Sequence, residues 1–290
     1  MTTFETNALE LKDLCKSYPG FSLDHLNLTL PSGCILGLIG ENGAGKTTAI
    51  KLILDIIRKD SGTIRILGKD CSTETSIPKE EIGVVMDEVG FPECLTPTQI
   101  GLIMKDSFNN WDSSLYSQYL QTFHLPEKKE FGQFSKGMKM KLSIVVALSH
   151  HSKLLILDEA TSGLDPVIRD DILDILLDFV QDEENSILIS SHITTDLEKI
   201  ADYIVFIHEG KVVFSKPKDE LTEQYGIIKC GAAQFDALDK SDIIVYRKMD
   251  YEWQILIADR MAMQKKYPKA MIVPATIDEI MLLYVKGEAK

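Results

Sequence analysis

The chain is predicted to be an α/β protein, a mainly parallel sheet covered by helices, and three observations predict it. Short apolar runs at 34–40, 154–158 and 186–192 read as buried strands and alternate with segments of helical period. The first of these runs ends in glycines and passes into a helical stretch at 49–59. Residues 8–30 instead alternate apolar and polar side chains, the pattern of an antiparallel β edge.

In chain order, 8–17 and 21–30 form two strands about a turn at Tyr18, Pro19 and Gly20. Residues 62–67 and 82–86 read as further strands. The stretches 98–124 and 136–151 lack strand alternation and read as helices, so a helical insert is expected over about 92–150. The second half returns to alternation: strand 154–158, helix 166–181, strand 186–192, helix 194–201, and a hairpin over 203–214 that turns at Glu209 and Gly210. From about 220 the pattern weakens to candidate strands at 243–247 and 252–258 and a closing helix at 276–285. Residues 1–219 are therefore read as the main domain and 220–290 as a small α+β accessory domain.

Composition excludes several classes. With 31 basic against 44 acidic residues the formal charge is −13, which offers no global field to a nucleic-acid backbone or an anionic lipid surface. Nucleic acid is not expected as a partner, and any anionic ligand must be held by a local device. No apolar run approaches the roughly 20 residues that cross a bilayer, and the N-terminus lacks the basic-then-apolar pattern of a secretion signal. Cys15, Cys34, Cys71, Cys94 and Cys230 are scattered, with no CxxC pair and no histidines at metal-ligand spacing. They read as thiols of a reducing cytosol.

Gly40-Glu41-Asn42-Gly43-Ala44-Gly45-Lys46-Thr47-Thr48 fits the GxxxxGK[ST] phosphate loop in its required context, after a strand and before a helix. Phosphate must be ringed by backbone N–H groups at a helix start, and the glycines let the chain bend that closely. Lys46 would bridge the β- and γ-phosphates and the Thr47 hydroxyl would ligate Mg²⁺. The dinucleotide alternative is disfavoured, because the glycine spacing is not GxGxxG and a lysine follows directly. In LLILDEATSGLDP (154–166), Asp158 ends an apolar strand where its carboxylate can reach that Mg²⁺. Glu159 follows where the chain turns, so it can be aimed at the attacking water as a general base.

Ahead of this strand stands Phe134-Ser135-Lys136-Gly137-Met138, which resembles the signature usually written LSGGQ of the ABC ATPases. Behind it, Ser162-Gly163-Leu164-Asp165 is similar to the D-loop of that family and Ser191-His192 to its switch histidine. These elements, in the family's order, cover about residues 8–215. The resemblance implies a P-loop ABC ATPase fold, ATP and Mg²⁺ as ligands, and a head-to-tail dimer with a second ATPase subunit, either another copy or a sister chain. It further implies an integral membrane permease subunit and a place on the cytoplasmic face of the membrane. By position, Ser135 and Gly137 would cap the γ-phosphate held by the partner's Lys46 loop. His192 would contact the γ-phosphate and link it to Glu159, and Asp165 would lie at the dimer seam. Tyr18 matches the aromatic that stacks on adenine, although as a residue alone it equally fits a hairpin core.

Two departures stand out. Where the family usually has the Q-loop glutamine, Ile82-Gly83-Val84-Val85-Met86 is followed by Asp87, which would take that place near Mg²⁺ and the membrane subunit. Its charge must then be balanced. Lys136 and Met138 replace a glycine and a glutamine of the signature, and Lys136 either adds positive charge near nucleotide or faces solvent. Together with SKGMKMKL (135–142) these departures are similar to the ABC-2 exporter ATPases of Gram-positive bacteria, including the bacitracin-resistance type and the exporters of phenol-soluble modulin peptides. The expectation is an engine for export of peptides or amphipathic toxins and antibiotics. The alternative, a soluble regulatory ABC ATPase, finds no support in long coiled-coil inserts or a second ATPase domain. Asp87 and the segment Glu88 to Trp111, with Phe91, Leu95, Phe108 and Trp111, are expected to grip the membrane subunit; the competing reading is that the aromatics fill the insert's own core.

Overall fold

A computed structural model describes residues 7–71, 77–87 and 90–289. The chain opens with β1 (Asn7–Tyr18) and β2 (Phe21–Pro31), an antiparallel pair whose alternating burial is the expected edge. Next come β3 (Ile35–Ile39), α1 (Lys46–Ile53), β4 (Ser61–Ile66), β5 (Lys69–Asp70) and β6 (Ile82–Val85). The insert holds α2 (Pro97–Ser107), α3 (Ser113–Thr122) and α4 (Lys136–Leu148). The second half runs β7 (Leu154–Asp158), α5 (Pro166–Phe179), β8 (Ser186–Ser191), α6 (Thr194–Ile200), β9 (Tyr203–His208) and β10 (Lys211–Pro217). The remainder adds β11 (Gly226–Cys230), α7 (Ala232–Asp236), β12 (Val245–Lys248), β13 (Trp253–Ile257), α8 (Arg260–Lys266), β14 (Met271–Pro274), α9 (Ile277–Lys286) and β15 (Glu288–Ala289).

The central sheet has the order β10-β9-β3-β8-β7-β6, parallel except for β10 at its edge. Every residue of β3, β7 and β8 is buried, as strands covered on both faces require. A second, antiparallel sheet, β2-β1-β4-β5, packs its leucines against one face of the first, with α1 between them in the same apolar cluster. The insert has a core of its own around Ile100, Tyr116, Phe131 and Leu142.

Helix starts follow from local chemistry. Thr96 and Gln99 form a reciprocal capping box on α2, with Pro97 at the first helical position. Asp165 Oδ1 accepts the Ile168 N–H at 3.0 Å to cap α5, and Pro166 follows it. Two readings change. The helix expected over 49–59 ends at Ile53: Asp55 takes a left-handed φ of 53°, and Leu54 and Ile57 reach the core from a turn. The C-terminal quarter contains β11 and β14 as well as the two strands read from sequence, and its sheet is β14-β11-β13-β12-β15.

Candidate functional site

The parallel register brings the ends of β3, β7 and β8 together. Ile39 lies opposite Ser191 and Asp158 opposite Ser190, so whatever follows each strand shares one rim of the sheet. After β3 the chain forms the glycine loop, with Gly43 at φ 83° and Gly45 at φ 115°, both in territory that favours glycine. Gly45 is the N-cap of α1, so the N–H groups of Lys46, Thr47 and Thr48 are among the four that open the helix without a partner inside it. This is an anion cradle. The Gly210 N–H, in the β9–β10 turn, donates to the Ala44 carbonyl at 3.0 Å and pins the loop from behind. Asn42 and Gly43 are exposed at its mouth.

Lys46 is 5% exposed; its Nζ donates to the Gly40 carbonyl at 2.8 Å and lies 3.4 Å from Glu159 Oε1. Glu159 has φ 54°, unusual for a residue with a side chain, and this takes it out of the β7 pleat toward the loop. Its own N–H donates to both the carbonyl and the Oγ of Ser190, each at 3.1 Å. Ser190 Oγ in turn donates to Asp158 Oδ1 at 2.6 Å. Ser190 therefore fixes the turn between the two acids, a role that sequence reasoning missed because it depends on strand register. On the next residue but one, His192 Nδ1 donates to Glu159 Oε2 at 2.6 Å. Lys46, Asp158, Glu159 and His192 thus form one constellation beside the loop.

Asp158 is 3% exposed and, among the described residues, has no cation within ion-pair distance. A buried carboxylate answered only by a hydroxyl is a poor place for uncompensated charge and a good one for a hard cation with oxygen ligands. With the exposed Thr47 hydroxyl at the start of α1, the donor set fits Mg²⁺.

Tyr18 ends β1 and is 42% exposed, with Lys16 Nζ 5.5 Å from its ring centroid. It stands opposite Phe21, whose ring tip approaches Gly45. It is not a hairpin core residue. Ser135 and Gly137 stand elsewhere, at the start of α4: Ser135 Oγ accepts the Met138 N–H at 3.2 Å, and Gly137 faces Ile168 of α5 so closely that an added Cβ would lie 2.8 Å from it. Asp87 Oδ1 lies 3.5 Å from Lys136 Nζ.

An apolar groove of about 350 Å³ opens between β6 and the insert, walled by Val84, Met86, Phe91, Met104, Phe108 and His150. Phe108 stacks on His150 with ring centroids 4.1 Å apart. Burial pulls the His150 pKa below its ordinary value, against the pull of the Glu80 carbonyl, which accepts from Nδ1 at 3.1 Å. Trp111 instead packs on Tyr116, and Phe91, Leu95 and Trp111 lean on the insert's core. Phe108 thus lines the groove whereas Trp111 packs into the insert, and Glu88 lies outside the described residues.

A family model described as ABC transporter matches residues 23–162. The chain is 36% identical over 219 residues to the bacitracin transport ATP-binding protein BcrA of Bacillus licheniformis, covering 74% of this chain and 72% of that one. It is 35% identical over 214 residues to the lantibiotic transport ATP-binding protein SrtF of Streptococcus pyogenes, covering 73% and 91%. The chain belongs to the ATP-binding proteins of ABC transporters. A solved ATP-binding subunit of an ABC transporter superposes with a TM-score of 0.65 at 27% identity, over 74% of this chain and 91% of that one. The ABC ATPase fold, ATP binding and transport-coupled ATP hydrolysis expected from the motifs all stand. ATPases of this family dimerise and work with membrane permease subunits. Among the described residues no helix is long and apolar enough to cross a membrane.

Proposed function

We propose that this ABC ATPase powers export of peptide or amphipathic antibiotic-like cargo through a separate membrane permease, from the cytoplasmic face of the membrane. The observation that supports the catalytic part best is the Glu159 carboxylate, held between His192 Nδ1 at 2.6 Å and Lys46 Nζ at 3.4 Å at the mouth of the phosphate loop. In this reading Glu159 is the general base for the attacking water, His192 orients it and senses the γ-phosphate, and Lys46 exchanges its carbonyl partners for the β- and γ-phosphates. Thr47 and Asp158 would hold Mg²⁺, which supplies charge neutralisation at the phosphates. The N–H groups from Asn42 through Thr48 cradle the phosphate chain, and Tyr18 stacks on adenine.

Two chains, copies or sisters, pair head to tail so that Ser135 and Gly137 at the start of one α4 cap the nucleotide of the other. The exposed Asp165 and the neighbouring Val167, which is 70% exposed, suit the seam between them. The groove beside β6 receives a cytoplasmic helix of the permease, with Phe108 as its aromatic anchor. Residues 1–219 act as the ATPase domain, with the insert at about 92–150, and 220–290 as an accessory domain. The cargo class rests on the peptide antibiotics named for the relatives, bacitracin and lantibiotics. Cargo accumulation in inverted vesicles carrying the chain with its permease tests it: ATP-dependent uptake of an amphipathic peptide supports export, and uptake that is independent of the Glu159 carboxylate removes the engine.

A further inference from the structure

Two of the positions where the chain departs from the family's usual motifs, Asp87 and Lys136, are in contact. Lys136 Nζ lies 3.5 Å from Asp87 Oδ1. A Cβ added at Gly163 would come within 3.1 Å of the same Nζ, so the ammonium sits where the end of β6, the start of α4 and the turn after Glu159 converge. The two side chains are 50% and 51% exposed, which leaves the pair open to exchange with other ions.

The start of α4 explains why an anion is wanted there. Lys136 is its first helical residue, after the N-cap Ser135, and the first turn carries no acidic side chain. Unpartnered N–H groups and the helix dipole make this end positive, and a lysine adds to the excess. Asp87 supplies the counter-charge from within the chain. A terminal phosphate, with more charge and three acceptor oxygens, is a stronger competitor for the same ammonium.

We propose that Lys136 is a positioning residue shared between two anions. It holds Asp87 until two chains close, and is then passed to the γ-phosphate of the ATP on the other chain's phosphate loop. The exchange releases Asp87, which directly follows Met86 on the wall of the β6 groove, so capture of nucleotide at the signature is reported to the surface that meets the permease. The pair thus replaces a neutral glutamine and glycine with a charge-matched couple. The inference rests on the head-to-tail dimer and on the docking groove proposed above.

The test uses the full-length chain carrying Glu159→Gln, so that ATP is bound and not consumed, with light scattering to read the ATP concentration at half-dimerisation. Lys136→Ala should raise that concentration about tenfold, Lys136→Arg should leave it near the starting value, and Asp87→Asn should lower it about threefold because the lysine is no longer held. In the Lys136→Ala background Asp87→Asn should have no effect. Thermal melts check that each variant folds, as exposure of both side chains predicts. Equal effects of Asp87→Asn with and without Lys136, or no effect of Asp87→Asn at all, overturn the exchange. Failure of the Glu159→Gln chain itself to dimerise on ATP overturns self-pairing instead, and the handover with it.

Discussion

Replacing Glu159 by glutamine isolates the charge of one carboxylate. The side chain is 14% exposed, accepts from His192 at 2.6 Å and approaches Lys46 at 3.4 Å. Glutamine keeps the length and an oxygen for His192, so the local fold should hold. Lys46 retains the Gly40 and Glu41 carbonyls, at 2.8 and 3.3 Å, and is not left without acceptors. What disappears is basicity toward water. Loss of a general base costs about 10²- to 10⁴-fold in turnover, or about 2.7–5.4 kcal/mol of barrier at about 1.36 kcal/mol per tenfold. Affinity for ATP should stay or improve, because a negative group that competes with phosphate for Lys46 has gone. Phosphate release at saturating ATP and Mg²⁺, beside the affinity for a fluorescent nucleotide, reads both quantities. Turnover within about threefold of the unaltered chain, with binding intact, would refute the base role and the argument from geometry that supports it.

Truncating Tyr18 to alanine should weaken nucleotide binding by about 1–3 kcal/mol, alike for ATP and GTP, since stacking reads a ring face and not an edge; calorimetric titration with both nucleotides checks it. Trp111→Ala should lower thermal stability by on the order of 2 kcal/mol through loss of insert packing. Phe108→Ala should leave the isolated chain's ATPase rate nearly unchanged and abolish its stimulation by the permease in vesicles. His150 resists protonation when folded, so below its unfolded pKa of about 6.5 the unfolded chain binds more protons. Stability from this site is therefore present above that pH and lost as pH falls. Urea midpoints across that range should fall less steeply with acid in His150→Gln.

The constellation beside the phosphate loop was readable because each of its parts is contiguous in the chain and follows a strand: Gly40 to Thr48 after β3, Asp158-Glu159 at the end of β7, His192 after β8. Parallel pairing then brings the strand ends to one rim, with no further information needed. Ser190 escaped because a serine inside an apolar strand signals nothing until Asp158 is known to lie opposite it. The Asp87–Lys136 contact escaped for a similar reason, since each residue was noticed as an oddity but nothing in either segment places β6 against the start of α4. Trp111 was misleading. An aromatic among prolines suits a groove and a small core equally, and only the position of Tyr116 decides between them.

The weak pattern after 220 has a physical origin as well. Strand β14 has no buried residue and β11 is five residues long, so neither shows a period that could be read. The region nonetheless has its own apolar cluster around Ile228, Phe235 and Ile255. It is also fused to the main body: Ile277, Ile280 and Leu283 of α9 share a continuous core with Leu197 and Ile200 of α6 and with Phe214. The Ile277 N–H donates to Glu198 Oε1 at 3.1 Å, and the Phe214 and Tyr284 rings lie 5.6 Å apart. Helix α6 begins two residues after His192. The C-terminal region is therefore seated on the helix that the histidine leads into, and any shift of His192 must either move that seat or be resisted by its packing.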